Sequence, residues 1–108
     1  MDRPKIVCLC GSTRFEEEYR RLNLEFTLKD YIVLSVGCMS HSQAELAKLI
    51  TPEIKERLDR LHLHKIQLAD EVFIINKDGY IGESTRREIQ YAGILGKEIT
   101  YLEPPKTT

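Results

Sequence analysis

Lys5 to Arg14 reads KIVCLCGSTR, a short apolar run followed by a glycine, two hydroxyl residues and an arginine. Apolar residues from Lys5 to Cys10 that stop at Gly11 suit a strand buried on both faces. Beyond the turn, Thr13 and Glu16 stand at capping-box spacing. Phe15, Tyr19, Leu22 and Phe26 then keep helical periodicity, with Glu16/Arg20 and Glu17/Arg21 as i,i+4 pairs on the wet side. The stretch therefore reads as strand, glycine turn and helix.

The same alternation continues outward. Tyr31 to Val36 (YIVLSV) is a second strand ended by Gly37. Residues 37 to 50 read as a loop with a helical turn around Ala44 to Leu49. Thr51-Pro52 opens a helix, a cap followed by proline in the first turn, and Ile54, Leu58, Leu61 and Leu68 mark its expected buried stripe. Glu71 to Asn76 (EVFIIN) is a third strand, Thr85 to about Leu95 a third long helix stopped by Gly96, and Glu98 to Leu102 (EITYL) a fourth strand.

Strands alternating with helices imply an α/β fold with a parallel sheet covered on both faces. Right-handed crossovers leave strand order 2-1-3-4 as the simplest topology, a three-layer flavodoxin/Rossmann-like domain over residues 1–103 with a frayed tail at 104–108. In that order the winding reverses between strands 1 and 3, and ligands of open α/β sheets bind beyond the carboxyl ends of the strands at such a reversal. The loops CGSTR (Cys10 to Arg14) and NKDGYIGEST (Asn76 to Thr85) emerge there.

Composition removes several function classes. A chain of 108 residues supports one core, and 16 basic against 17 acidic side chains give a formal net charge of −1. Nothing in that balance favours nucleic acid or a membrane surface. No apolar run approaches the ~18 residues that cross a bilayer. The stretch MDRPKIVCLC lacks the basic, apolar and small-residue regions of a signal peptide, so a cytoplasmic location is expected. Cys8, Cys10 and Cys38 are an odd count without CxxC spacing, which predicts reduced thiols.

Two segments could carry chemistry. In CGSTR, a glycine, hydroxyls and a helix start offer backbone N–H donors and a dipole to an anion, and Arg14 could add a charge-assisted bond to phosphate. Neither GxxxxGK[ST] nor GxGxxG is present, and a plain strand-to-helix turn capped by Ser12 or Thr13 is the alternative. In GYIGESTRREIQYA (Gly79 to Ala92), Thr85 and Glu88 fit a capping box, which would make Glu88 a structural glutamate. Against that, Glu88 shares a helical face with Ala92 and Leu95, and its turn, with Gly79, Gly82 and Ser84, faces the first loop across the switch point.

CGSTR together with STRREIQYA at Ser84 to Ala92 resembles the nucleoside 2-deoxyribosyltransferase superfamily, nearest its 2′-deoxynucleoside 5′-phosphate N-hydrolase branch. LADEVFIIN is similar to the family's third strand and its approach, while Gln90 stands where the family carries a glycine. The resemblance implies that Glu88 is a nucleophile toward the anomeric carbon of a (deoxy)ribose. It places the 5′-phosphate at the first loop, Cys10, Gly11, Ser12, Thr13 and Arg14, with Gly82 and Ser84 opposite. It also implies a small-molecule nucleotide as partner, neither metal nor organic cofactor, and a homodimer that completes the site.

One position departs from the family. Its catalytic aspartate, eight residues before the Asp that opens the third strand, falls on His62 here. A histidine could protonate a departing base, and Asp59, one turn earlier, is the substitute. A noncatalytic nucleotide- or phosphate-binding module, with Glu88 only capping its helix, is the rival reading. The remaining polar residues carry weaker signals. His62 and His64 point to different helix faces. Cys8 and Cys10 share a strand face and could meet Cys38 or His41 at a metal, although small buried thiols are the ordinary reading. His41 and Gln43 could touch a base. Asp78 and Tyr80 could edge the pocket, while Lys55, Arg57, Arg60 and Lys65 look like a solvated helix face.

Overall fold

The computed structural model describes residues 2–37 and 44–105. Its elements run β1 (Ile6–Gly11), α1 (Glu16–Leu28), β2 (Ile32–Leu34), α2 (Ala44–Leu49), α3 (Pro52–Leu68), β3 (Glu71–Ile75), a single 3-10 turn (Lys77–Gly79), α4 (Glu83–Ile94) and β4 (Glu98–Tyr101). The four strands form one parallel sheet in the order β2-β1-β3-β4. This is the flavodoxin/Rossmann-like architecture that the alternating pattern predicts.

Period-two alternation sorts β1 onto two cores. Val7 and Leu9 pack with Ile75 against Tyr19, Leu22 and Phe26 of α1. Cys8 and Cys10 face the other way, with Val72 and Ile74, onto Ile66 and Ala69 at the end of α3 and Ala92 of α4. All four central β1 side chains are fully buried. The sheet thus lies between α1 on one face and the α3–α4 pair on the other. Both cysteines are aimed at the α3–α4 layer.

Three local readings change. The capping box at Thr13 and Glu16 does not form. The chain turns first, with Phe15 N–H donating to the Ser12 carbonyl at 3.1 Å, and α1 starts at Glu16 with no side chain capping it. Glu16 does pair with Arg20 at 2.6 Å, whereas Arg21, flanked by acids four residues away on either side, takes Glu25 at 3.0 Å instead of Glu17.

The capping box at Thr85 and Glu88 is also absent. Helix α4 begins two residues earlier, with Gly82 at the cap position and no side-chain bond there. Thr85 lies buried inside the first turn.

The stripe expected on α3 is out of phase. Its buried residues are His62 and Ile66, while Leu58, Leu61 and Leu68 are exposed. The start of that helix is as expected, since Thr51 Oγ1 accepts from Ile54 N–H at 3.2 Å and Pro52 occupies the first turn.

Gly96 ends α4 with φ +70°. The amides of Gly96 and Lys97 bond back to Gly93 and Ala92, the paired bonds of a Schellman motif. At the other end of the site loop, Asn76 is buried and exchanges two 2.9 Å bonds with the backbone of Glu103. That pair fixes where the loop leaves the sheet and ties residue 103 to it.

Candidate functional site

The loops after β1 and β3 rise at the carboxyl ends of adjacent central strands and flank a cavity of about 320 Å³. That size suits a small organic ligand. The end of β1 passes close against β3, because a Cβ on Gly11 would lie 2.8 Å from the Ile75 carbonyl oxygen. Gly11 is therefore required by the contact between β1 and β3, besides lining the cavity. Tyr19 reinforces the loop from α1, its hydroxyl donating to the Gly11 carbonyl at 2.6 Å.

Ser12 Oγ accepts from both the backbone N–H and Nε of Arg14, at 3.3 and 3.2 Å. Arg14 then crosses to the second loop. Its guanidinium carbon lies 4.1 Å from the centre of the Tyr80 ring, and Nη2 donates to the Tyr80 hydroxyl at 3.3 Å. Phe15 meets the same ring edge-on at 6.0 Å. The dipole of α1 contributes less to an anion than expected, because Glu16, Glu17 and Glu18 already crowd its first turn. Positive charge at this end of the cavity comes from Arg14.

Thr13, Gly82 and Ser84 line the cavity. Cys10 does not; it is fully buried beneath the floor. Tyr80 edges the cavity, while Asp78 is not among its lining residues and its backbone N–H donates to Glu103 Oε2 at 2.6 Å. The residues Cys38, His41 and Gln43 lie outside the described residues.

Helix α3 supplies the third wall, through Lys55, Leu58, Asp59 and His62. These positions follow i, i+3, i+4, i+7 spacing, so one face of the helix fronts the cavity. Lys55 is the residue that sequence reasoning left on the solvated face. Its Nζ bonds Asp59 Oδ2 at 3.0 Å and Ser84 Oγ at 3.3 Å, joining α3 to the first turn of α4. Lys65 likewise turns inward, donating to the Ser35 carbonyl at 2.6 Å. The spacing of Lys55, Asp59 and His62 along one face was the available signal. Arg60 stays on the wet face, paired to Glu56 at 3.0 Å, as expected.

Glu88 reaches the cavity floor from the second turn of α4. Its carboxylate does not bond back to a helix end, and it lies close enough to His62, Cys8 and Cys10 to interact with them electrostatically. His62, nearly buried, brings Nε2 to 3.3 Å from Cys10 Sγ and 3.7 Å from Cys8 Sγ. Cys10, Cys8 and His62 form one connected polar group under the cavity, with Glu88 lining the cavity beside His62.

Their proton affinities are interdependent. The neighbouring Cys10, against the effect of burial and with help from His62, pulls the Cys8 thiol down. Cys10 is pushed well up by the Cys8 bond, by burial and by the Glu88 charge. Burial alone would lower His62, but its bond and charge interaction with Cys8 outweigh that and raise it. Glu88 is raised chiefly by burial, with the nearby His62 charge opposing. The two thiols and the imidazole therefore titrate as one coupled group rather than as independent residues.

No protein-family model matches the chain, and a search of curated proteins returned no significant match.

Proposed function

We propose that the protein cleaves or transfers the N-glycosidic bond of a (deoxy)nucleoside 5′-monophosphate, with Glu88 as nucleophile. The observation that carries this reading is the placement of Glu88. Because α4 starts at Glu83 with Gly82 as its cap, Glu88 is freed from a capping role and lines the cavity at the switch point. The resemblance of CGSTR and STRREIQYA to nucleoside 2-deoxyribosyltransferases supplies the reaction class.

In this reading Arg14, bonded to Ser12, takes the 5′-phosphate, with Ser84 on the lining of the same cavity. The sugar then lies over the floor between the phosphate end and Glu88. One carboxylate oxygen attacks the anomeric carbon; the new C–O bond forms as the C–N bond breaks and its electron pair leaves with the base. His62 gives the departing base a proton, and Asp59 on the same wall is the alternative donor. Water or a second base then attacks the glycosyl-enzyme and restores Glu88. A second copy of the chain is part of the proposal, since Leu58 and Leu61 leave the α3 wall of the cavity exposed. With reduced thiols at Cys8 and Cys10, a cytoplasmic location belongs to the same proposal.

The binding-module reading keeps one observation in its favour. His62 Nε2 is turned to the two thiols rather than left free for a substrate. Incubation with a panel of nucleoside 5′-monophosphates in the presence of chelator, with chromatographic assay of free base, separates the two. Base release from at least one nucleotide is expected, faster than from the matching nucleoside. Stabilisation by nucleotides without any turnover would replace the enzyme by the binding module.

A further inference from the structure

We propose that Cys8, Cys10 and His62 form a binding site for a thiophilic divalent cation of the Zn²⁺ class, beneath the cavity that His62 and Glu88 line. The inference goes beyond the glycosidic reading and does not rest on it. Among the described residues this is the one group of three His, Cys, Asp or Glu side chains whose ligand atoms all lie within 4.8 Å of one another. The two Sγ–Nε2 separations, 3.3 and 3.7 Å, bracket the ~3.6 Å spacing between sulfur and nitrogen on a tetrahedral zinc.

The fold produces this set without a sequence motif. Alternation along β1 sends Cys8 and Cys10 to the same face, and the phase of α3 turns His62 down onto them. Because the third ligand comes from 52 residues away in the chain, CxxC-type spacing could not announce it. Two sulfurs and one imidazole are the donors that Zn²⁺ and its analogues prefer over Mg²⁺ or Ca²⁺. Cys8 and Cys10 are fully buried and His62 is 6% exposed, so the ligands are held by packing rather than by loops. An entry route exists, because His62 and Glu88 line the cavity above. Glu88 lines the same cavity as His62, and the ligand atoms that lie within 4.8 Å of one another are those of Cys8, Cys10 and His62. Binding displaces the protons the thiol ligands carry, and the metal takes the place of the contacts that otherwise join the group.

The test is a Co²⁺ titration of the reduced wild-type chain, read by thiolate-to-metal charge-transfer absorption and then by displacement with Zn²⁺. The expected result is one equivalent of Co²⁺ with that absorption, displaced by Zn²⁺. Zn²⁺ should also protect Cys8 and Cys10, located by peptide mass, from alkylation in the same wild-type chain. Cys10→Ser and His62→Ala should weaken binding by at least ~10-fold, while Cys38→Ser leaves it unchanged. Absence of charge-transfer absorption in the wild type overturns the proposal, even if the serine variants do not fold. So does absorption that survives Cys10→Ser and disappears in Cys38→Ser, or protection that maps away from Cys8 and Cys10.

Discussion

The Arg14 guanidinium lies 4.1 Å from the centre of the Tyr80 ring and donates to its hydroxyl at 3.3 Å, so one side chain ties together the two loops of the switch point. Stacking leaves the remaining guanidinium donors available at the cavity rim. Arg14→Ala is expected to weaken nucleoside monophosphate binding by roughly 10–100-fold, the worth of a charge-assisted bond. Tyr80→Phe keeps the stacking face and should cost less. Isothermal titration calorimetry checks both, and an unchanged Kd for Arg14→Ala would move the anion to Lys55.

Gly11 makes a separate prediction about stability. A methyl group there meets backbone and side chain of Ile75 at 2.8 and 2.9 Å. Gly11→Ala should therefore force β1 and β3 apart at a cost of roughly 1–3 kcal/mol. Thermal unfolding would show a Tm lower by about 5 °C per kcal/mol. A variant as stable as the wild type would mean that the loop has room the structure does not show.

The layout of strands and helices was legible because KIVCLC, YIVLSV and EVFIIN are bounded by glycine or polar turns and separated by helical patterns. Helix phase was harder. In α3 the regular leucines suggested the core, yet Leu58 and Leu61 front the cavity, while His62 takes the buried position. A titratable residue inside the core breaks the simple rule of apolar residues inside, and here the site depends on that break. The two capping boxes failed for a related reason. Spacing alone cannot tell Thr13 in a preceding turn, or Thr85 inside the helix, from a residue at the cap itself. Lys55 was hidden among alternating charges, and only the direction of α3 reveals its bond to Ser84.

His62 and Asp59 share a cavity wall, and kinetics can assign the proton donor. With chelator present, His62→Gln should lower kcat by a factor on the order of 10²–10⁴, most for bases that leave poorly. Asp59→Asn should change kcat by less than about tenfold. The reverse order would make Asp59 the donor.

Stability at low pH has a different centre. Asp70 accepts two bonds from Arg3, at 2.7 and 2.9 Å, and one from Ile6 N–H at 2.8 Å. The Arg3 bond, then the Ile6 amide, hold its carboxyl well below the usual carboxylate range. Its folded value is below its unfolded one, so the contribution is complete above the unfolded value and lost as pH falls through the folded one. Asp70→Asn should thus lower Tm by a constant amount from neutral pH down to roughly pH 4, with the gap closing below that. Thermal melts across this range test the sign, and a gap that widens on acidification would contradict it.

The central claim is that Glu88 forms the bond to the sugar. Glu88→Gln preserves shape and much of the hydrogen bonding while removing the nucleophilic carboxylate. The decisive measurement is the initial rate of free-base release by this variant and by the wild type, on the nucleotide that the wild type turns over fastest. The account predicts a fall on the order of 10³-fold or more, with nucleotide binding retained. Hydrolysis at an unchanged rate in Glu88→Gln would contradict it.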